Sequence, residues 1–177
     1  MAFELLNSET VLQGRVFKIR RDLVRTPDGR ETKFDIIEHG GSVLLVPIDR
    51  DGNLLFVRQY RHATGRELLE LPAGTLDEGE APEVCAAREL REETGFAAGS
   101  LHEIGQFYLA PGYSSEYMHI FLARDLKPAP LKGDEDEFLS LETIPLDVAF
   151  EMAERGEVPD AKSLAGLFCA RPHLSRA

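Results

Sequence analysis

The alternation of apolar and polar positions predicts β-strands in the first forty residues. Between residues 16 and 24, one face of a strand is apolar except at Arg21, and the other face is charged through its middle. The turn signal Pro27-Asp28-Gly29 follows, and Thr32 to Glu38 returns as a partner strand. Because an isolated hairpin is marginally stable in water, we expect this antiparallel β hairpin, residues 1–40, to pack on the rest of the chain or on another subunit.

Beyond Gly40-Gly41, apolar runs predict six more strands. One helix is expected between the third and fourth of these strands, and two helices are expected after the last. The strands are expected at residues 42–48, 54–60, 67–72, 101–109, 117–123 and about 138–141. The helices are expected between Pro82 and Gly95, from Leu146 to near Gly156, and from Asp160 onward. This order predicts an α+β fold, with residues 41–177 forming one domain after the hairpin arm.

The first helix concentrates glutamates on one side. Glu89 and Glu93 are four residues apart, and Glu92 adjoins Glu89 at a spacing of three. Like charges at this spacing destabilise a helix by roughly 0.2–0.5 kcal/mol per pair, so a cation is expected to neutralise them. An oxygen-rich site without thiols suits Mg²⁺ or Mn²⁺. The alternative is a solvated helix face whose acids pair with Arg or Lys.

Composition excludes several classes of partner. The formal net charge of −11 argues against binding to nucleic acid or to an anionic membrane, because both require clustered Lys and Arg. No signal peptide and no apolar run of about 18 residues is present, which indicates a cytoplasmic location. Cys85 and Cys169 do not have the spacing of a disulfide framework or a zinc site.

The spacing around the acidic helix carries a resemblance to a known family. The stretch from Gly74 to Phe96 matches the Nudix box at every position. In order, it reads Gly74, five residues, Glu80, seven residues, Arg88-Glu89-Leu90, one residue, Glu92-Glu93, one residue, and Gly95-Phe96. The chain therefore resembles a Nudix hydrolase. This resemblance implies the Nudix fold, a mixed β-sheet sandwiched between helices, and metal-dependent hydrolysis of a diphosphate.

The resemblance also assigns roles around the box. Glu89 and Glu93 would hold the metal, the Ala73 carbonyl would complete its ligands, and Glu92 would act beside them in catalysis as a further ligand or partner. Arg88 is expected to pair with the box carboxylates, and Glu80 to hydrogen-bond or help to coordinate. Gly74 and Gly95 are interpreted as conformational, at a turn and at a helix end.

A narrower resemblance lies outside the box. The runs Arg58-Gln59-Tyr60-Arg61 and Glu67 to Gly74, with Pro111 sixteen positions after Gly95, look like the ADP-ribose pyrophosphatase branch. It implies cleavage of ADP-ribose to AMP and ribose 5-phosphate. Other nucleoside diphosphate sugars, of the GDP-mannose or UDP-glucose type, remain alternatives. A sensor of ADP-ribose that does not cleave it is a third possibility.

In that branch the general base is a glutamate of the acidic loop before the last strand, here Glu135 or Glu137; the alternative is a solvated acidic turn. The branch also forms homodimers that exchange the N-terminal hairpin, so that arm residues reach the partner's site. Substrate contacts are expected from the following residues: Arg15, Asp35, Arg61, Glu80 and Glu116.

Overall fold

In the computed structural model, which describes residues 2–133 and 138–174, the chain forms two units. The first comprises Met1–Gly41 and Phe107–Met118, and the second comprises Ser42–Gln106 and His119–Ala177. None of the described helices is long and apolar enough to cross a membrane.

The first unit contains a three-stranded antiparallel sheet. Its strands are β1 (Glu4–Gln13), β2 (Lys18–Arg25) and β3 (Glu31–Glu38), in the order β1-β2-β3. The antiparallel pairing of β2 with β3 confirms the predicted hairpin, and β1 is a strand that the sequence pattern did not predict. The Ile37 N–H donates to the Tyr113 carbonyl at 2.8 Å, which joins the segment 107–118 to this unit.

Strand β2 is buried most on its more polar face. Its most buried residues are Asp22 and Val24, on the face whose middle is charged. Asp22 tolerates burial because it accepts hydrogen bonds from Ser8 Oγ at 2.7 Å and from Arg20 Nε at 3.0 Å. The two buried residues of β2 therefore lie on the face that is charged through its middle.

The remaining elements lie in the second unit, except that the last residues of β9 and the first residues of β10 belong to the first. In chain order these are β4 (Ser42–Pro47), β5 (Asn53–Arg61), β6 (Arg66–Glu70), β7 (Ala73–Thr75), α1 (Pro82–Thr94), β8 (Phe96–Ala97), β9 (Ser100–Tyr108), β10 (Tyr117–Arg124), β11 (Lys127–Pro128), β12 (Leu139–Pro145), α2 (Leu146–Glu154) and α3 (Ala161–Leu174). They form sheets of order β7-β4-β10-β9, β12-β5-β6 and β11-β8. The α+β class is confirmed.

Strand β4 lies between two helices, which explains why it is apolar on both faces. Val43 and Leu45 pack in one cluster with residues of α1. Leu44 and Val46 face α3, where Gly166 approaches so closely that an added Cβ would lie 2.6 Å from Leu44 Cδ2. Because successive strand residues point to opposite faces, the sheet is sandwiched between helices as expected.

The ends of α1 follow the predicted signals. Pro82 occupies the first turn, and Gly95 has a φ of 79°, with its N–H donating to the Arg91 carbonyl at 3.1 Å. This left-handed conformation is accessible to glycine at little cost and ends the helix. Both ends of α1 therefore lie where the sequence predicted them.

Candidate metal and substrate site

Arg88 links the acidic residues of the box to one another. Its Nε and Nη2 atoms donate to Glu80 at 3.0 and 2.8 Å, and its Nη1 atom donates to Glu89 at 2.6 Å and to Glu92 at 3.0 Å. The predicted pairing of Arg88 with box carboxylates is confirmed. Three carboxylates of the box, those of Glu80, Glu89 and Glu92, therefore share one guanidinium, and the cluster keeps a surplus of negative charge.

These contacts determine the charge states of the cluster. The hydrogen bond from Arg88 lowers the pKa of Glu80 to about 2, and the same bond raises the pKa of Arg88. Burial, followed by the nearby charge of Glu89, raises the pKa of the Cys85 thiol. Cys85 therefore remains a neutral thiol and is unsuited to metal binding or nucleophilic attack.

Gly74 makes room for Glu89. A Cβ added at Gly74 would lie 1.9 Å from Glu89 Cδ and 2.0 Å from its Oε1 atom, far inside van der Waals contact. Gly74 lies within β7, and its φ is not among the positive values, unlike that of Gly95. The interpretation of Gly74 as a turn glycine is therefore wrong: it is required because the carboxylate packs directly on the backbone.

The polar groups of Ala73 face α1. The Ala73 N–H donates to Glu93 Oε2 at 3.0 Å, whereas the neighbouring Pro72 carbonyl accepts from Leu45 N of β4 at 2.8 Å. Because the N–H and C=O of a strand residue point to one side and alternate along the strand, the Ala73 carbonyl is directed away from β4 as well.

Three acids of the box therefore lie near this strand: Glu89 packs on Gly74, Glu93 accepts from the Ala73 N–H, and Glu92 shares Arg88 with Glu89. Together with the Ala73 carbonyl they offer only oxygen donors. This donor set fits a hard divalent cation such as Mg²⁺ or Mn²⁺. As the side chains stand, no three His, Cys, Asp or Glu groups within residues 2–133 and 138–174 are arranged to hold an ion. Arg88 binds Glu89 and Glu92 instead, so a cation would have to take their oxygens from it.

Of the candidate substrate contacts, Arg61 lies in the second unit. Its guanidinium donates to both carboxylate oxygens of Glu70 at 2.8 Å, and its side chain remains 39% exposed. Burial acts to raise the pKa of Glu70, but hydrogen bonds and charge from Arg61 and Lys162 outweigh it, so that the pKa is lowered. The sequence analysis did not identify Glu70 and Lys162 as partners. They are 92 residues apart, so no local pattern in the sequence indicates that they form an ion pair.

Arg15, Asp35 and Glu116 belong to the first unit. Asp35 accepts two hydrogen bonds from Arg21, at 2.7 and 3.0 Å, and lies on an exposed part of β3. The roles of these three residues in binding substrate stay predictions.

The candidate bases Glu135 and Glu137 lie outside the described residues. The residue just before that acidic segment is close to the box, because a Cβ added at Gly133 would lie 3.9 Å from Glu92 Cβ.

Comparison with known proteins decides the family. A model of the NUDIX domain matches residues 38–167, and a model of the nucleoside diphosphate sugar hydrolase N-terminal domain matches residues 3–37. The chain belongs to the NUDIX family. The NUDIX match begins at Glu38, the last residue of β3. The expected boundary near residue 40, between a dimerisation arm and a hydrolase domain, stays a prediction.

Three similar proteins place the chain more narrowly among NUDIX proteins. An "ADP-ribose pyrophosphatase" of Mycobacterium tuberculosis is 40% identical over 93% of this chain and 81% of its own length. A "GDP-mannose pyrophosphatase" of an Enterobacter species is 36% identical over 75% of this chain and 74% of its own. A solved structure described as an "ADP compounds hydrolase" superposes with a TM-score of 0.87 at 32% identity, covering 98% of this chain and 95% of the other.

Proposed function

We propose that this NUDIX protein is a pyrophosphohydrolase that cleaves ADP-ribose to AMP and ribose 5-phosphate, with water as the nucleophile. The observation that carries the proposal is the set of oxygen donors around Gly74, where the Glu89 carboxylate packs on the glycine and Ala73 faces α1. The names of the similar proteins support a nucleoside diphosphate substrate containing adenine.

The reaction requires a divalent cation, Mg²⁺ or Mn²⁺. The Ala73 carbonyl, Glu89 and Glu93 would hold it, with Glu92 as a further ligand or partner. When bound, such an ion supplies charge neutralisation of the diphosphate and lowers the pKa of coordinated water.

The chain's own residues bind the substrate and move the proton. Arg61 contacts a phosphate or ribose oxygen, since its guanidinium is partly exposed and is held in one direction by the buried Glu70. Glu135 or Glu137 accepts the proton of the attacking water, and the proximity of Gly133 to Glu92 supports that role. Glu80 orients Arg88 and thereby the box acids.

The first unit completes the site of a second copy in a homodimer. Several large apolar side chains of β1, β3 and their surroundings are exposed in the single chain, among them Phe3, Val16, Phe17 and Phe34. An exchanged arm would cover such side chains. Arg15 and Asp35 would then contact the adenosine half of the substrate in the partner's site, while Glu116, in the loop after Pro111, faces the substrate. A monomer in light scattering at micromolar concentration would contradict this arrangement.

The substrate assignment is tested on a panel of ADP-ribose, GDP-mannose and UDP-glucose, each with Mg²⁺ and with Mn²⁺, by chromatography of the phosphate products. We expect the highest kcat/KM for ADP-ribose, with AMP and ribose 5-phosphate as products. A comparable kcat/KM for GDP-mannose would replace the assignment by the second candidate, which the Enterobacter relative favours. The absence of cleavage across the panel would favour an ADP-ribose sensor.

A further inference from the structure

A second charged cluster lies beside the loop that leads to Ala73. At its centre is Glu70, whose side chain is 1% exposed. Glu70 accepts both hydrogen bonds of Arg61 and also contacts the Lys162 ammonium, which lies 2.9 Å from Asp160 Oδ2. Two cations and two carboxylates make this cluster neutral.

The same turn of α3 holds the backbone of the loop. The Leu71 N–H donates to Ser163 Oγ at 2.7 Å, and Ser163 Oγ donates in turn to Asp160 Oδ2 at 2.5 Å. Ser163 is fully buried, and its own N–H donates to Asp160 at 3.0 Å as part of the helix cap. The hydroxyl is therefore fixed as an acceptor for Leu71.

The close approach of α3 leaves the loop little freedom. A Cβ added at Gly166 would lie 2.9 Å from Leu71 Cδ1, so the helix packs directly on the loop residue that Ser163 holds. Pro72, the next residue, is bound through its carbonyl to Leu45. The chain is thus restrained at Glu70, Leu71 and Pro72 before it reaches Ala73.

We infer that the first turn of α3, through Lys162 and Ser163, positions the loop Glu70-Leu71-Pro72 so that the Ala73 carbonyl is held where it can bind a divalent cation. Lys162 and Ser163 are positioning residues, because they act through Glu70 and Leu71. The inference rests on the proposed function, since Ala73 is a ligand of the cation only in that proposal.

Binding of Mn²⁺ in the absence of nucleotide tests the inference, with free Mn²⁺ measured by electron paramagnetic resonance. Ser163→Ala removes the acceptor of the Leu71 N–H, and Lys162→Met removes the cation beside Glu70. Groups that support metal ligands typically change metal affinity by 10–100-fold, and we expect each variant to raise the Kd for Mn²⁺ by about tenfold. Lys162→Arg keeps the cation and should bind Mn²⁺ nearly as the unmodified protein does.

Arg155→Met is the matched control, because Arg155 forms exposed ion pairs with Glu151 and Glu157 at the end of α2. Circular dichroism establishes which variants are folded, and if Lys162→Met does not fold, Ser163→Ala decides. A purely structural role would lower Tm in Ser163→Ala and Lys162→Met while leaving the Kd for Mn²⁺ unchanged, and that result would overturn the inference.

The unmodified protein separates this inference from the proposed function. If it binds Mn²⁺ but cleaves no nucleotide sugar, the proposed function fails and the variants still test the positioning role. If it cleaves ADP-ribose and the folded variants match its Kd for Mn²⁺, only the positioning role fails. If it does not bind Mn²⁺, both fail.

Discussion

Two charged clusters of the NUDIX domain are built in opposite ways. In one, the anion Glu70 lies between the cations Arg61 and Lys162, and Asp160 brings the total charge to zero. In the other, the cation Arg88 faces three carboxylates and the total is −2. The neutral cluster joins α3 to the end of β6, whereas the negative one lies on α1.

The difference separates a structural role from a functional one. A neutral, buried network satisfies its own members, and removing one of them leaves a charge without its partner. A cluster with surplus negative charge repels itself and is relieved when a cation binds. Loss of Glu70, the centre of the neutral cluster, should therefore act first on stability, whereas loss of an acid of the negative cluster should act first on activity.

Glu70→Gln should have the largest effect, and it should be on stability. The variant keeps the shape of the side chain but leaves Arg61 and Lys162 without their shared anion, and breaking a buried ion pair costs about 3–5 kcal/mol. The free energy of unfolding, measured by urea titration in metal-free buffer, should fall by this amount. Arg25→Met, which removes exposed ion pairs with Glu4 and Glu31, is the control and should cost at most about 1 kcal/mol.

Glu93→Gln should have the opposite effect, lowering activity and leaving stability nearly unchanged. We expect kcat for ADP-ribose with Mg²⁺ to fall about 10²–10³-fold, as for the loss of one preorganised charged group at a reaction centre. Stability in metal-free buffer should hardly change, because the amide oxygen can still accept from Ala73 and a repulsion with Glu89 is removed. Glu83→Gln, at an exposed position in the first turn of α1, is the control. An unchanged kcat would contradict the metal site and the contrast between the clusters.

Gly74→Ala sharpens the comparison by displacing an acid without removing it. The new methyl group would overlap Glu89, and overpacking typically costs about 1–3 kcal/mol. We expect a loss of stability of that size in thermal unfolding, together with weaker binding of Mn²⁺. Gly79→Ala is the control for space, since an added Cβ there meets nothing within 4 Å, although its φ of 79° adds some strain. If Gly74→Ala matched Gly79→Ala in both measurements, the close approach of Glu89 would not matter.

The sequence predicted what short spacings determine. The spacing of Pro82, Gly95 and the glutamates was sufficient for the bounds of α1, its acidic side and the pairing with Arg88. It also indicated the family, because the box is a continuous stretch of 23 residues, from Gly74 to Phe96, that can be recognised without knowledge of distant contacts. The antiparallel pairing of β2 with β3 followed from one turn signal.

What the sequence did not predict depends on contacts between distant residues. Gly74 was interpreted wrongly, because the residue that requires a glycine there is Glu89, fifteen positions later, whose carboxylate packs on the Gly74 backbone. The ion pair of Glu70 and Lys162 joins residues 92 positions apart, and no periodicity reports such a distance. The burial of Asp22 depends on Ser8 from β1, a strand that the sequence pattern did not predict.

The smallest expected effect is a change in how Tm depends on pH when Glu80 is replaced. It tests whether Glu80 is one of the carboxylates that share the charge of Arg88. Glu80 has a pKa of about 2 in the folded protein and about 4.5 as an ordinary glutamate, so protons bind more tightly to the unfolded chain. Its contribution to stability is therefore complete above about pH 5 and is lost as the pH falls towards 2. The difference in Tm between the unmodified protein and Glu80→Gln should narrow between pH 6 and pH 3. For Glu78→Gln, an exposed neighbour, we expect Tm to follow that of the unmodified protein throughout. A difference for Glu80→Gln that stayed constant over this range would mean that Glu80 stabilises the site by its shape and not by its charge on Arg88.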